Sequence, residues 1–121
     1  MNSDFPDSGL RQLQLDLCTK HGVSPVDVAA PEKVGISQNI RSGELPINGL
    51  RLKPENGTSG WLFWRGREMS LAPDFFVPLH AEHLASWCPV VLPFLLLPPG
   101  WRFLVAHEHV DAWFDASLLH E

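Results

Sequence analysis

Two short histidine-containing segments hold the residues whose types and spacing could do chemistry. His80 and His83 are three residues apart, which places them on one face of a helix, and His107 and His109 flank Glu108 in a polar link. Imidazole nitrogens are zinc ligands, so a metal-dependent hydrolase built on the four histidines is one hypothesis. The segments lack an HExxH motif and paired cysteines. Exposed polar residues at a helix start and a hairpin turn are therefore the simpler interpretation, and we expect neither metal nor cofactor.

The sequence shows no activated nucleophile. Ser59 and Ser70 lie in predicted loops without a G-x-S-x-G elbow, and Cys88 precedes a proline in an apolar segment, which is typical of a packed thiol. The glycines of residues 57–66 lack the spacing and the Lys-Ser/Thr end of a phosphate-binding loop. We therefore predict that the protein is not an enzyme.

Charge is unevenly distributed along the 121 residues. Residues 1–67 are close to +1, whereas residues 68–121 carry seven acids against the single base Arg102. Nucleic-acid binding requires the opposite sign, so we expect no DNA or RNA partner. An acidic half suits a basic protein partner through electrostatic steering, although acidity that serves only solubility explains the same composition.

The tryptophans allow two interpretations. Side chains alternate along Trp61–Trp64, so Trp61 and Phe63 point to one face of this predicted strand and Leu62 and Trp64 to the other. One of these two pairs can face outward while the other packs in the core. An exposed Trp64 beside acidic residues would be an anchor for a protein partner, whereas a buried Trp64 would belong to the core.

These candidate residues must be positioned by short elements, because eleven prolines divide the chain. The aromatic runs 98–105 and 110–115 predict a hairpin, and residues 90–115 as a whole predict the core. The other predicted elements, from spacing and turn signals, are a helix over 8–20 capped by Asp7 or Ser8, strands over 33–37, 47–53 and 61–64, an irregular connection over 68–79, a helix over 79–87 and a broken edge strand over 90–97. Alternation predicts one solvated face for the 47–53 strand.

This element order predicts an α+β fold, with a mostly antiparallel sheet of about five strands and two or three helices. We expect an N-terminal helix and connector over residues 1–32 and an α+β domain over residues 33–121, which together form one compact unit. Cys18 and Cys88 are expected to be buried free thiols. The N-terminus shows no basic segment followed by an apolar run, and the apolar stretch 88–99 is too short for a bilayer, so we expect a cytoplasmic protein.

Several motifs resemble the immunity protein 33 family, which are small α+β proteins encoded beside bacterial polymorphic or secretion-system toxins, type VI systems included. The motifs are Ser59-Gly60-Trp61, Pro99-Gly100-Trp101-Arg102-Phe103 and Asp111-Ala112-Trp113-Phe114-Asp115. Residues 76–103 carry most of the likeness, and residues 33–37 resemble the opening strand of such domains. The resemblance spans about residues 33–119 and leaves out the N-terminal helix.

The resemblance implies a stoichiometric inhibitor that binds one cognate toxin in the producing cell. The residues predicted to contact that toxin are Trp64, Asp74, Glu82, Glu108 and Asp111, with Asp115 and Glu68 as second choices. A general interaction or scaffold domain without a toxin is a further hypothesis, and the oligomeric state is open.

Overall fold

One mixed sheet of six strands organises the molecule, whose computed structural model describes residues 4–70 and 72–120. The strands are β1 (Lys33–Ser37), β2 (Ile47–Arg51), β3 (Thr58–Arg65), β4 (Phe76–His80), β5 (Trp101–Val105) and β6 (Val110–Phe114). The helices are α1 (Asp4–Lys20), α2 (Leu84–Trp87) and three 3₁₀ helices, Ala81–His83, Pro89–Phe94 and Ala116–Leu119.

The spatial order of the strands is β4-β1-β3-β2-β5-β6, so β4 and β6 form the two edges of the sheet. β1 pairs with β3 in parallel, and all other neighbours are antiparallel. The α+β prediction is confirmed, with six strands where about five were expected.

The main core lies on one face of the sheet, beneath α1 and the 3₁₀ helix Pro89–Phe94. Its centre is aromatic: the rings of Phe94 and Phe103 stack with centroids 4.1 Å apart, and Phe63 and Trp61 are stacked at 5.2 Å. Gly49 makes this packing possible, because a Cβ at this position would overlap the ring of Phe103. Since both neighbours of β2 carry large rings, the central strand must carry a glycine between them.

Helix α1 is attached to the core through two polar contacts as well as its apolar face. Gln14 Nε2 donates to the Leu92 carbonyl at 2.8 Å, and Cys18 Sγ lies 3.6 Å from the Leu96 carbonyl. The backbone N–H of Val26, in the connector that follows, also donates to Leu96 at 2.9 Å. These bonds hold the N-terminal segment against residues 92–96, the end of the 3₁₀ helix Pro89–Phe94 and the turn that follows it.

Four local predictions were wrong. The helix begins at Asp4, so Asp7 and Ser8 lie within it and do not cap it. Residues 47–51 are buried throughout, because the second face of the sheet is also covered and β2 has no solvated face. Residues 90–97 do not form a strand: Pro89–Phe94 is 3₁₀ helix with Pro93 inside it.

The fourth error concerns β4, which the prolines at 73 and 78 had suggested was irregular. A proline is compatible with a strand at the edge of a sheet, where its missing N–H costs no ladder bond. At the N-terminus, residues 4–6 belong to α1, and residues 1–3 lie outside the described residues. In the described part of the chain, no helix has both the length and the hydropathy needed to cross a membrane.

Candidate protein-interaction surface

The four acidic residues predicted to bind a partner are all exposed, but they lie at opposite edges of the sheet. Asp74 precedes β4, and Glu82 lies in the 3₁₀ helix that follows it. Glu108 lies in the turn between β5 and β6, and Asp111 is in β6. Because the two edges face in opposite directions, the structure places two of these acids at each edge and does not bring all four to one surface.

The edge at β6 combines its acidic pair with unusually exposed apolar side chains. Val110 is 62% exposed, Phe114 50% and Trp113 38%. We call Glu108, Val110, Asp111, Trp113 and Phe114 the β6 edge surface. Exposed aromatic residues beside charges are the composition of protein-interaction sites, whose energy is concentrated in a few buried anchors.

Arg102 and Asp115 fix the position of this edge. Arg102 Nη1 lies 3.1 Å from Asp115 Oδ2, and its guanidinium is 5.7 Å from the Trp113 ring centroid. Asp115 also caps the C-terminal 3₁₀ helix, because its Oδ1 accepts bonds from the Ser117 N–H at 3.0 Å and the Ser117 hydroxyl at 2.6 Å. Hydrogen bonds from Ser117 and Arg102 hold the pKa of the Asp115 carboxyl below its usual range. The contacts therefore connect the aromatic edge to the C-terminal segment.

Trp64 is not an exposed anchor, and that prediction was wrong. Its side chain is 3% exposed and packs edge-on against Phe76, with ring centroids 6.3 Å apart. Its Nε1 is the one buried side-chain nitrogen or oxygen without a hydrogen-bond partner in the described residues. Trp64 lies on the second face of the sheet, where the ring of Phe76 in β4 packs against it.

The exposed aromatic residues that sequence reasoning missed are Trp113 and Phe114. The signal that could have identified them is the alternation of the predicted strand 110–115, which places large aromatic side chains at two successive positions and therefore on both faces. A strand with aromatic side chains on both faces beside acidic residues is a candidate for an interaction edge.

A cleft of about 550 Å³ lies on the second face of the sheet, near β4. Its floor includes Gly35 and Leu62, its walls include Phe76 and Pro78, and Leu118 of the C-terminal 3₁₀ helix lines it as well. The lining is mainly apolar, and the charged or titratable side chains among its described residues are Lys33, Lys53, Glu55 and His120. No local sequence pattern predicts this cleft, because it is formed by four segments that are distant along the chain, residues 33–35, 52–62, 76–78 and 118–120.

Two of the four histidines proposed as metal ligands lie close together in the structure, and the other two do not join them. His80, Glu82 and His83 are exposed, and each offers a ligand atom within 4.8 Å of the others. These donors are of the types that bind zinc. His107 and His109 do not join them, because they follow β5 at the other edge and at the other end of the sheet. Five strand spacings of about 4.8 Å separate the edges by roughly 24 Å, so the four-histidine site does not form.

The two cysteines are free and buried, as predicted. Burial raises the pKa of the Cys18 thiol. Burial also raises the pKa of Cys88, and the nearby Arg65 only partly opposes this effect. A raised pKa reduces the thiolate fraction, so neither cysteine has the properties of an activated nucleophile.

Comparison with known protein families assigns most of the chain to a family. The model of the Imm33-like domain matches residues 13–115, which include the C-terminal part of α1 that the resemblance had left out. No curated protein and no solved structure matches the chain.

Proposed function

Because this chain belongs to the Imm33-like domain family of immunity proteins, we propose that it binds one cognate toxin in the cytoplasm and neutralises it by direct contact. The toxin belongs to a polymorphic or secretion-system array such as a type VI system. Inhibition is stoichiometric: the toxin's active site is covered or distorted, and no catalytic group of this chain takes part.

The observation that carries the proposal beyond the family is the β6 edge surface. Val110, Trp113 and Phe114 present apolar area that no other element in the described chain covers. Full burial of one large apolar side chain contributes about 1.5–3 kcal/mol, so Trp113 and Phe114 supply the anchors that Trp64 does not. Glu108 and Asp111 lie beside them and favour a basic partner.

Electrostatics act mainly on how fast the complex forms. The net charge of the chain is −5, and residues 68–121, which contain the β6 edge surface, carry seven acids against a single base. Such a field attracts a basic toxin from solution, while the desolvated aromatic anchors determine how slowly it leaves. We therefore expect the association rate to fall as salt concentration rises.

The experiment is co-expression of this chain with the product of the neighbouring gene, with growth and co-purification as readouts. We expect rescue of growth and a one-to-one complex. Reversal of both edge acids, Glu108→Lys with Asp111→Lys, should weaken binding at least about tenfold, or about 1.4 kcal/mol, with an unchanged melting temperature.

The matched control is the double reversal Asp74→Lys with Glu82→Lys, which changes the net charge equally at the opposite edge. Equal weakening by both doubles would mean that only net charge matters, which would contradict the assignment to β6. Toxicity without rescue, or the absence of a complex, would refute the proposed function.

A further inference from the structure

The ladder between β5 and β6 is bounded by two backbone hydrogen bonds. At the turn, the N–H of Ala106 donates to the carbonyl of His109 at 2.8 Å. At the other end, the N–H of Asp115 donates to the carbonyl of Gly100 at 2.7 Å. In an antiparallel ladder, hydrogen-bonded and non-hydrogen-bonded pairs alternate, so these two bonds determine which residues between them face β5.

The alternation divides the backbone of β6 into two sets. Asp111 and Trp113 stand in the hydrogen-bonded positions of the β5–β6 register, so their N–H and C=O groups point toward β5. The backbone N–H and C=O groups of the remaining residues of the strand, Val110, Ala112 and Phe114, point away from β5. Three successive donor–acceptor pairs therefore face away from the sheet, in the geometry that a further strand requires.

At the opposite edge, β4 carries a proline at the central outward-facing position, which prevents strand pairing there. The N–H of Ala81 donates to the carbonyl of Glu32 at 2.8 Å, and the same alternation turns the groups of Phe76, Pro78 and His80 outward. Pro78 has no N–H, so the central outward donor of β4 is missing. Proline is one of the devices by which proteins prevent an edge strand from pairing. At the equivalent central position, β6 has Ala112, which blocks nothing.

The side chains of β6 define what kind of strand would pair with it. Val110 and Phe114 point to one face of the sheet, and Asp111 and Trp113 point to the other. An added strand would place its own side chains beside them with the same alternation. Apolar residues of the added strand fit next to Val110 and Phe114. Lys or Arg fits next to the Asp111 carboxylate and the Trp113 ring, which already has Arg102 of β5 near it on the side of the sheet.

Charge favours such a foreign strand over a second copy of this chain. Glu108, Asp111 and Asp115 lie along the edge, and within residues 4–70 and 72–120 the one cation bonded to these three acids is Arg102, on Asp115. A second copy would bring an equal set of three carboxylates against them, whereas a cationic strand would neutralise them. Like charges across paired strands are destabilising, and opposite charges are favourable.

We propose that the toxin is held by strand addition: an extended segment with alternating apolar and cationic side chains pairs with the outward backbone groups of Val110, Ala112 and Phe114 and continues the sheet. This inference rests on the proposed function. It adds that backbone hydrogen bonds, and not only side-chain anchors, attach the toxin to the β6 edge surface.

The test introduces into β6 a proline at the position equivalent to Pro78 of β4. Ala112→Pro removes the central outward N–H but no bond of the β5–β6 ladder, because Ala112 does not bond to β5. Titration calorimetry of the purified chain with the product of the neighbouring gene should show at least a tenfold loss of affinity. The matched control, Ala112→Ser, keeps the N–H and should bind within about twofold of the unaltered chain, a difference of about 0.4 kcal/mol.

Residue-resolved amide exchange of the unaltered protein provides a second measurement, which does not depend on the proline variant being folded. In the free protein the amides of Asp111 and Trp113 should exchange slowly, and those of Val110, Ala112 and Phe114 quickly. In the complex all five should be slow.

The outcomes separate the inference from the function on which it rests. Unchanged binding by a folded Ala112→Pro variant, with the outward amides still exchanging quickly in the complex, would overturn strand addition while leaving the toxin-binding function intact. A dimer of the unaltered chain in light scattering that becomes a monomer on Ala112→Pro would assign the edge to a second copy and overturn the choice of occupant. If no complex forms at all, function and inference both fail.

Discussion

At the scale of single residues, Arg51 shows how position changes the role of a charged side chain. It is 1% exposed, and its guanidinium donates to the carbonyls of Ser59, Val26 and Leu97, each at 2.9 Å. Burial lowers the pKa of Arg51 to about 10, against the opposing effect of the nearby carboxylates, Glu32 first. The residue joins the N-terminal connector, β3 and the segment before β5, so its charge serves the fold.

We expect Arg51→Met to lower the free energy of unfolding by at least about 2 kcal/mol. The substitution removes the desolvation cost of the charge, but it leaves buried carbonyls without donors, each at a cost of about 1–3 kcal/mol. Urea denaturation followed by tryptophan fluorescence measures the change. Arg67→Met, at an exposed position, is the control and should have little effect. An unchanged midpoint for Arg51→Met would show that other groups satisfy these carbonyls.

At the scale of elements, the C-terminal 3₁₀ helix depends on one carboxylate. Asp115 caps this helix through Ser117 and binds Arg102 of β5, so the segment that places Leu118 in the cleft is held to the sheet by an ionised group. A helix of four residues has little stability of its own, since nucleation is unfavourable and few bonds follow it. The position of this element therefore comes from its cap and its ion pair.

The stability contributed by Asp115 should depend on pH. Its pKa is lowered on folding, so the contribution is complete above the unfolded value of about 3.9 and is lost as pH falls through the lower pKa of the folded state. The difference in unfolding free energy between the unaltered chain and Asp115→Asn should be clear at about pH 6 and should shrink toward zero near about pH 2.

Urea unfolding across that pH range measures the Asp115 effect. Ser117→Ala, which removes one partner of the carboxylate, should show part of the same pH dependence. Ser24→Ala, at an exposed position outside this element, is the control and should show none. A difference between Asp115→Asn and the unaltered chain that stays constant with pH would contradict the assigned role of the carboxylate.

At the scale of the whole molecule, the strand order decides which clusters exist. The β4 and β6 edges are separated by the four other strands, so His80 and His83 cannot share a metal ion with His107 and His109. The same order separates Asp74 and Glu82 from Glu108 and Asp111. The sequence alone does not show whether the two groups of residues meet in space. The strand order places them at opposite edges of the sheet.

The separation of the histidines gives a metal prediction. Any change in melting temperature between zinc and chelator should be the same in the unaltered chain and in the double variant His107→Ala with His109→Ala. His80→Ala with His83→Ala should reduce that change if zinc binds at the His80–Glu82–His83 group, whose donors are close enough together. Loss of the zinc effect in the His107/His109 variant would show that these two histidines bind the metal.

Local patterns predicted much of this protein. β1 occupies the predicted residues 33–37, and the β5–β6 hairpin follows from two aromatic runs around a short polar link. The α+β class and the buried thiols also follow from the sequence, because periodicity, turn residues and composition act over short distances. The exposure of Glu108 and Asp111 was predictable for the same reason: both lie at or beside a polar turn.

Only the tertiary structure decided which faces and edges are covered. Trp64 and Trp113 are both strand tryptophans, yet one is buried on a central strand and the other is exposed on an edge. Pro78 indicated an irregular segment, yet it lies in the edge strand β4. There its missing N–H costs no ladder bond and hinders pairing with a further strand. Residues 90–97 are as apolar as a strand, yet the 3₁₀ helix Pro89–Phe94 and the turn that follows it cover the core instead. Burial and edge position depend on contacts between segments distant in sequence, and no local pattern records which segments will meet.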